Sequence, residues 1–561
     1  MTMGSNCANS EVALLYLPEE REKSAPGQDP SAKFCPENLL DRAITWWVGL
    51  GLMLVCLLIP LILTEVPPLT DYPNHLARCY LLAFGSSDPA LRPMFSEHWQ
   101  IIPNIGVDLI LPKLMHVFPP LLAGRVMLAF CLLIPTTGAI ALSRAYFHRR
   151  SLWQIATGFA AFNVLFLMGF MNFELAIGIA MWGAAAWIRY REQNVAAAVA
   201  SAIILAPIVF FFHLFGFCFY ALLVGSYEFF VIFERGLRTW TDVRYAAGRA
   251  LAFGLAMIIP ALLYSASPLE RVSFSPAWVS LPRKLYIAFD SILEYSSLFD
   301  LLIAASLVAF LVFCVMNGRA RISKAGLICC TALLCIYLVT PVSFKGVYFV
   351  DTRLPVMLGF MVFAGFMPRG LNWRERTVSV GFFIILFVAR VALITNVWVD
   401  SHRDLDDLRQ TIASVGPGSR VLAADVKYID NPDWYSNMPL CRRLPEVAPT
   451  YWHLASFVLL DRHAFWPNIF AEESQQPIAI KEPYRELEAV RSPPLNYTDL
   501  SMSEVPEEEL AHFPYLRDWK EKFDYVLVLN AEGAPGLDHF LPNQLQLVNR
   551  QGIAALFRIR K

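Results

Sequence analysis

Charge is what this chain has least of. Asp, Glu, Lys and Arg make up 17% of its 561 residues, and 46 basic against 47 acidic side chains leave a net charge of −1. No block of Lys and Arg stands out from the loops, so nucleic acid is not an expected partner. CxxC, HExxH and Walker-type patterns are all missing, which leaves a structural zinc site and a nucleotide-driven pump without support. Cysteine is scarce outside apolar runs. Most of the eleven, Cys329, Cys330 and Cys335 among them, sit inside such runs and read as small core residues. Only Cys79 and Cys441 fall on the side that loop charge makes the outer one, and nothing in the sequence brings them within disulfide reach. No internal repeat is visible.

What the chain has in excess is apolar surface, 56% of its residues, concentrated between about Ile44 and Trp398. The stretch Ile44 to Thr64 is about twenty residues long, which at helical rise spans a hydrocarbon core. Some forty polar residues precede it and no small-residue cleavage site follows, so it reads as a spanning helix and not as a signal peptide. Further spans are expected near 121–144, 151–170, 173–189, 194–213, 214–234, 247–266, 298–317, 323–341, 353–367 and 376–398, about eleven in all. Residues 1–43 carry Glu19, Glu20, Arg21, Glu22 and Lys23 among prolines and serines and are expected to be a flexible tail. Asn104 to Phe118 is shorter, with Asp108, Lys113 and His116, and suits an interfacial or re-entrant helix within a long first loop, 65–120.

Loop charge sets a side for each connection, because short cytoplasmic loops collect Lys and Arg. Arg144 with Arg149 and Arg150, Arg189 with Arg191, Arg235 through Arg249, Arg319 with Arg321 and Lys324, and Arg369 with Arg374 and Arg376 fall on alternate loops. The expectation is a cytoplasmic N-terminus, an outer first loop and an outer C-terminal portion, 399–561. There, 418–424 and 523–529 have the short β-branched runs of buried strands, and 545–548 with 554–559 resemble a hairpin turning at Asn549-Arg550-Gln551-Gly552. The expected fold is thus a polytopic α-helical membrane protein, 44–398, followed by a small extracytoplasmic α/β domain.

Ionisable residues at the helix ends sort by side. The basic ends carry Arg, as solvated anchors do. The opposite ends mix Asp71, His75 and Arg78 with Glu174, His213, Lys345, Asp351 and Arg353, a combination of acids, imidazoles and cations able to surround a charged ligand, since an unpaired charge there costs several kcal/mol. Each also has a plainer reading. Asp71 suits the N-cap of a helix that Pro73 begins, and it lies four and seven positions from His75 and Arg78, so all three can share one helical face and pair on it. Glu174 suits a turn between close-packed helices, His213 can satisfy a carbonyl, and Asp351 with Arg353 can be an internal ion pair. In the C-terminal portion Tyr451-Trp452-His453, Asp461-Arg462-His463 and Trp466 offer groups that stack on sugars or build a core.

The segment Pro67-Pro68-Leu69-Thr70-Asp71-Tyr72-Pro73-Asn74-His75, placed directly after the first span, resembles the Asp-containing first-loop motif of the GT-C superfamily of membrane glycosyltransferases. That superfamily includes the protein mannosyltransferases, the oligosaccharyltransferases and the bacterial aminoarabinose transferases. Many members show two acids where this chain has Asp71 and Tyr72, a departure that leaves one local carboxylate. The resemblance implies a sugar donor linked to polyprenyl phosphate, an envelope glycan, lipid or protein acceptor, and inverting transfer on the outer face of a bacterial inner membrane. Asp71 would be the general base, with His75 beside it. Arg353 and Lys345 would face the leaving phosphate, with His213 and Arg78 behind them. A divalent ion is compatible with this scheme, but nothing indicates one. The competing expectation is a transporter or flippase, which usually shows polar residues at mid-membrane in matched halves.

Overall fold

The computed structural model describes residues 40, 42–268, 276–344, 347–427, 435, 437–444, 448–489 and 494–561. The tail expected at 1–43 lies outside them up to residue 39, and so does Lys345.

The chain enters with α1 (Ala43–Leu63). The first loop then supplies α2 (Tyr72–Tyr80), the short strand β1 (Phe95–Glu97) and α3 (Gly106–Met115), the last being the short helix expected at 104–118. After it come α4 (Pro120–Phe147), a 3-10 run at Leu152–Ala160, α5 (Val164–Met168), α6 (Met171–Arg191), α7 (Val195–Phe212), α8 (Leu214–Arg235), α9 (Trp240–Ser265), α10 (Leu281–Ile287), α11 (Ser297–Met316), α12 (Lys324–Val339), α13 (Arg353–Gly365) and α14 (Trp373–Asp400). The strands β2 (Ala320–Ile322) and β3 (Phe366–Pro368) pair antiparallel between the ends of this array.

Among the described residues eight helices are long and apolar enough to cross a membrane, and three shorter apolar segments, Leu152–Met168, Lys324–Val339 and Arg353–Gly365, accompany them. Eight and three make the eleven segments expected, but the three are not each a bilayer long. The 16 residues of α12 and the 13 of α13 reach only ~24 and ~20 Å at helical rise. The segment at 151–170 is broken, because the Asn163 side chain accepts from the Leu165 and Phe166 amides and starts a new helix. Its apolar residues read as one run, while its one buried Asn divides it.

Small residues set a close helix crossing. A Cβ on Gly178 of α6 would lie 2.5 Å from the Pro135 nitrogen of α4, and one on Gly138 would lie 2.6 Å from the Gly178 carbonyl oxygen, so the two backbones touch directly. The ends of the array differ as the loop charges require. At one end Arg144 and Arg150 lie over Trp46, Arg249 and Arg191 converge on Glu228, Lys324 meets Glu234 and Arg319 meets Glu375. We call this the basic face. The opposite face carries the first loop and the C-terminal domain.

That domain begins with α15 (His402–Ile412) and builds a five-stranded sheet. In chain order it contains β4 (Val421–Asp425), α16 (Phe457–Arg462), β5 (Ile478–Ile480), β6 (Leu495–Asn496), β7 (Tyr525–Leu529), β8 (Leu545–Gln551) and β9 (Ala554–Ile559). The sheet order is β6-β4-β7-β9-β8. β4 runs parallel to β6 and β7, whereas β9 is antiparallel to β7 and β8. The expected central strands and closing hairpin are therefore present, although the hairpin turns at Gly552-Ile553 because Asn549, Arg550 and Gln551 pair within β8. All five residues of β4 are buried, as an apolar run flanked on both sides demands. β5 leaves the sheet and pairs with β1 of the first loop.

Asp425, the last residue of β4, is fully buried and accepts from the Tyr451 hydroxyl at 3.1 Å. Burial pushes its carboxyl from 3.8 up to about 7, with Lys427 and the Tyr451 hydrogen bond opposing. A raised carboxyl pKa means that the folded state holds its proton more tightly than the unfolded chain, so stability is lost as pH rises from about 4 to about 7. Asp425→Asn is accordingly expected to match the parent at pH ~3.5 and to exceed it at pH ~8 by up to ~4 kcal/mol. Thermal unfolding in detergent at both pH values checks this, and an equal difference at the two would contradict it.

Candidate functional site

The turn that carries Asp71 is fastened to α5 by its backbone. The Thr70 amide donates to the Leu167 carbonyl at 3.3 Å and the Asp71 amide to that of Met168 at 2.8 Å. Gly169 makes this approach possible: its φ is +89°, and a Cβ there would lie 2.7 Å from the Tyr72 nitrogen. Asp71 occupies the N-cap position of α2, with Pro73 in the first turn, but its carboxylate caps no amide. The plain capping expectation therefore holds for position and fails for the side chain.

The carboxylate instead meets a residue from the far end of the chain. His453 Nε2 lies 3.3 Å from Asp71 Oδ1, with the side chains 12% and 19% exposed. The other ring nitrogen, Nδ1, is 3.2 Å from Asn74 Nδ2. Asn74 is buried in α2 and bridges to the C-terminal domain: Nδ2 also donates to the Asn468 carbonyl at 2.9 Å, and Oδ1 accepts from the Phe470 amide at 2.8 Å. His75 joins this group through its ring, 5.3 Å from that of Phe470. Desolvation, together with Arg78 and His453 nearby, draws its pKa well below the ordinary value, so His75 is neutral at neutral pH.

Arg78 does not face this group as a free cation. Its Nε and Nη2 donate to Asp108 of α3 at 2.7 and 2.9 Å, and both side chains are fully buried. The shared helical face expected for Asp71, His75 and Arg78 yields to a fork between two interfacial helices, because a guanidinium without a carboxylate is too costly there. Asp351 is likewise paired, but not with Arg353. Its Oδ1 accepts from the Thr352 amide and its Oδ2 lies 3.8 Å from Lys284 Nζ on α10.

Arg353 and His213 form a second group. Arg353 Nη1 donates to the Tyr348 and Phe349 carbonyls, each at 2.8 Å. Phe349 supplies its carbonyl from a left-handed backbone, φ 57°. The guanidinium stands over Phe170, Phe173 and Phe215 at 5.3, 6.0 and 5.3 Å, and no carboxylate pairs with it among the described residues. His213 caps α8 through the Phe215 amide, with its ring against Phe173. Glu174, in the first turn of α6, is fully buried, neither carboxylate oxygen makes a hydrogen bond, and Asn163 is the polar side chain facing it.

A cleft of about 120 Å³ lies beside the two groups, lined by Met168, Arg283, Ile287, Asp290, Phe349 and Thr352 among others. Met168 is the residue whose carbonyl holds the Asp71 amide, and Phe349 lies against Phe170 of the Arg353 cup. Asp71 and Arg353 do not line the cleft themselves; each adjoins it through a neighbour, Met168 for Asp71 and Phe349 for Arg353. Among the described residues no group of three or more His, Cys, Asp or Glu is arranged to hold a metal ion.

His453, Asn74, Asp108 and Lys284 are the residues that sequence reasoning missed as partners. His453 lay in a noted aromatic segment, but no local pattern links it to Asp71.

No family model and no curated protein matches the sequence. Two solved structures are similar over 92% of this chain and 98% of their own. One is ArnT from Cupriavidus metallidurans bound to undecaprenyl phosphate, 12% identical with a TM-score of 0.49. The other is the same protein in the apo state, 12% identical with a TM-score of 0.47. Neither assigns a role to a residue here.

Proposed function

We propose that this chain is a multi-pass membrane glycosyltransferase of the GT-C type, which moves a sugar from a polyprenyl-phosphate carrier to an acceptor hydroxyl at the face bearing the C-terminal domain. The observation that carries the reading is the pair of charged groups, Asp71 against His453 and Arg353 in its cup of three rings with no ion pair among the described residues, whose neighbours Met168 and Phe349 line one cleft. An acid and a buried cation with no ion pair among the described residues are expensive at helix ends unless a ligand uses both, the nearby Asp351 offsetting the burial of Arg353 only in part.

In this reading the carrier lipid lies against the apolar helices and its phosphate faces the Arg353 cup. Asp71 takes the proton of the acceptor hydroxyl as its oxygen attacks the anomeric carbon. The bond to the carrier phosphate oxygen breaks on the opposite face, so configuration inverts. Arg353 is pre-organised for the leaving phosphate, since two backbone carbonyls hold one of its nitrogens and three rings fix its plane. Arg78 has no part in this, being committed to Asp108. By the loop-charge rule this face is the outer one, so the donor needs no nucleotide at the site.

Heating the purified protein with polyprenyl phosphates of several lengths and with soluble sugar phosphates tests the reading. A carrier lipid at a hundred times its Kd should add ~2.7 kcal/mol of apparent stability. Stabilisation by a soluble solute and by no lipid phosphate would favour the transporter instead.

A further inference from the structure

We propose that His453 is a positioning residue for Asp71, so that the transfer site is complete only when the C-terminal domain is docked on the first loop. This rests on the reading of Asp71 as the base. The hydrogen-bond pattern around Asn74 decides which proton the imidazole carries. The Phe470 amide must donate, so it fixes the oxygen of the Asn74 carboxamide, and the amide nitrogen is left facing the Asn468 carbonyl and His453 Nδ1. An NH2 group has no lone pair to offer, so Nδ1 must accept and the ring proton must sit on Nε2. That proton points at Asp71 Oδ1.

Two consequences follow for the chemistry. Seated this way, His453 cannot take the acceptor's proton, because the nitrogen facing Asp71 already bears one. Its donation instead holds the carboxylate in one orientation and leaves Oδ2, which caps no amide of α2 and meets no hydrogen-bond donor among the described residues, for the incoming hydroxyl. A proton on Nδ1 would be set against the Asn74 amide hydrogens. The groups around the imidazole are Asp71, His75 and Asn74 of α2 with the rings of Trp466 and Phe470.

Other contacts set the docking on which this bond depends. β1 pairs with β5 from Phe95 opposite Ile480 to Glu97 opposite Ile478. The His98 amide donates to Pro477 and the Lys481 amide to Met94, each at 2.8 Å. His463 Nδ1 meets Asp88 at 2.7 Å. A domain held this firmly can place an imidazole with the tolerance that catalysis needs.

The test compares His453→Ala, His453→Gln and Asp71→Asn in transfer of labelled sugar from polyprenyl phosphate, with lipid-induced thermal stabilisation as the check on folding. His453→Ala should lose about 10- to 100-fold in kcat, with donor KM and the lipid-induced stabilisation unchanged. His453→Gln should recover most of the loss, since its amide NH2 reaches the position of Nε2. An alanine variant with parental kcat, or a glutamine variant as poor as alanine while Asp71→Asn is inactive, overturns the positioning role and leaves the base intact. A fully active Asp71→Asn overturns both.

Discussion

Asp71→Asn is expected to insert and accumulate as the parent does while transfer of sugar falls by about 10²- to 10⁴-fold, the range that a positioned general base contributes. The substitution is close to silent structurally. The side chain caps no backbone amide, so α2 loses no support, and the amide oxygen can still accept from His453 Nε2, which lies 3.3 Å from Oδ1 in the parent. What disappears is the second basic oxygen. Donor KM should therefore change little, since the proposed function assigns the carrier phosphate to the Arg353 group. Transfer by a well-folded variant at the parental rate would remove Asp71 from the mechanism.

The second large effect is on stability and concerns Arg78. Replacing it by Leu strands the Asp108 carboxylate, whose side chain is fully buried and accepts two hydrogen bonds from this guanidinium and otherwise only a weak one from the Cys79 thiol. Removing one member of a buried ion pair typically costs about 3–5 kcal/mol. Asp108→Asn should cost a comparable amount, because the cation left behind already has Nη1 without a partner. The double variant Arg78→Met, Asp108→Leu should regain much of the loss, since an apolar pair of similar volume carries no stranded charge. A role for Arg78 on the donor phosphate predicts a different pattern: normal thermal unfolding, a raised donor KM and no rescue by the second change. Unfolding curves in detergent for the three variants, with donor KM measured alongside, separate the two accounts.

Most of the helical framework could be read from composition along the chain. A spanning helix is a local object, about twenty apolar residues whose backbone groups bond within the segment, and the Arg-rich loops assigned its ends to sides without reference to any contact. The strands β4 and β7 and the β8–β9 hairpin were legible for a similar reason, because a buried strand is a short β-branched run and a hairpin turn has its own chemistry. Where the reading erred, one polar residue outweighed the surrounding pattern. Asn163 splits an apolar run into a 3-10 segment and α5.

The candidate site was legible in its residue types and not in its pairings. Asp71, His75, Glu174, His213, Asp351 and Arg353 stand out because ionisable groups are rare beside apolar helices. Which of them is free to act depends on partners that no local period encodes. Arg78 is taken by Asp108, Asp351 by Lys284, and Asp71 is met by His453.

Sequence by itself thus determined the number of apolar segments, their alternating sides and the presence of an acid after the first span, since each follows from the free energy of placing a given side chain in water or in hydrocarbon. Only the tertiary structure decided which charges neutralise one another and which remain for a ligand. Charge pairing falls off within a few ångströms, and residues hundreds of positions apart come within that distance only once the first loop and the C-terminal domain have packed together.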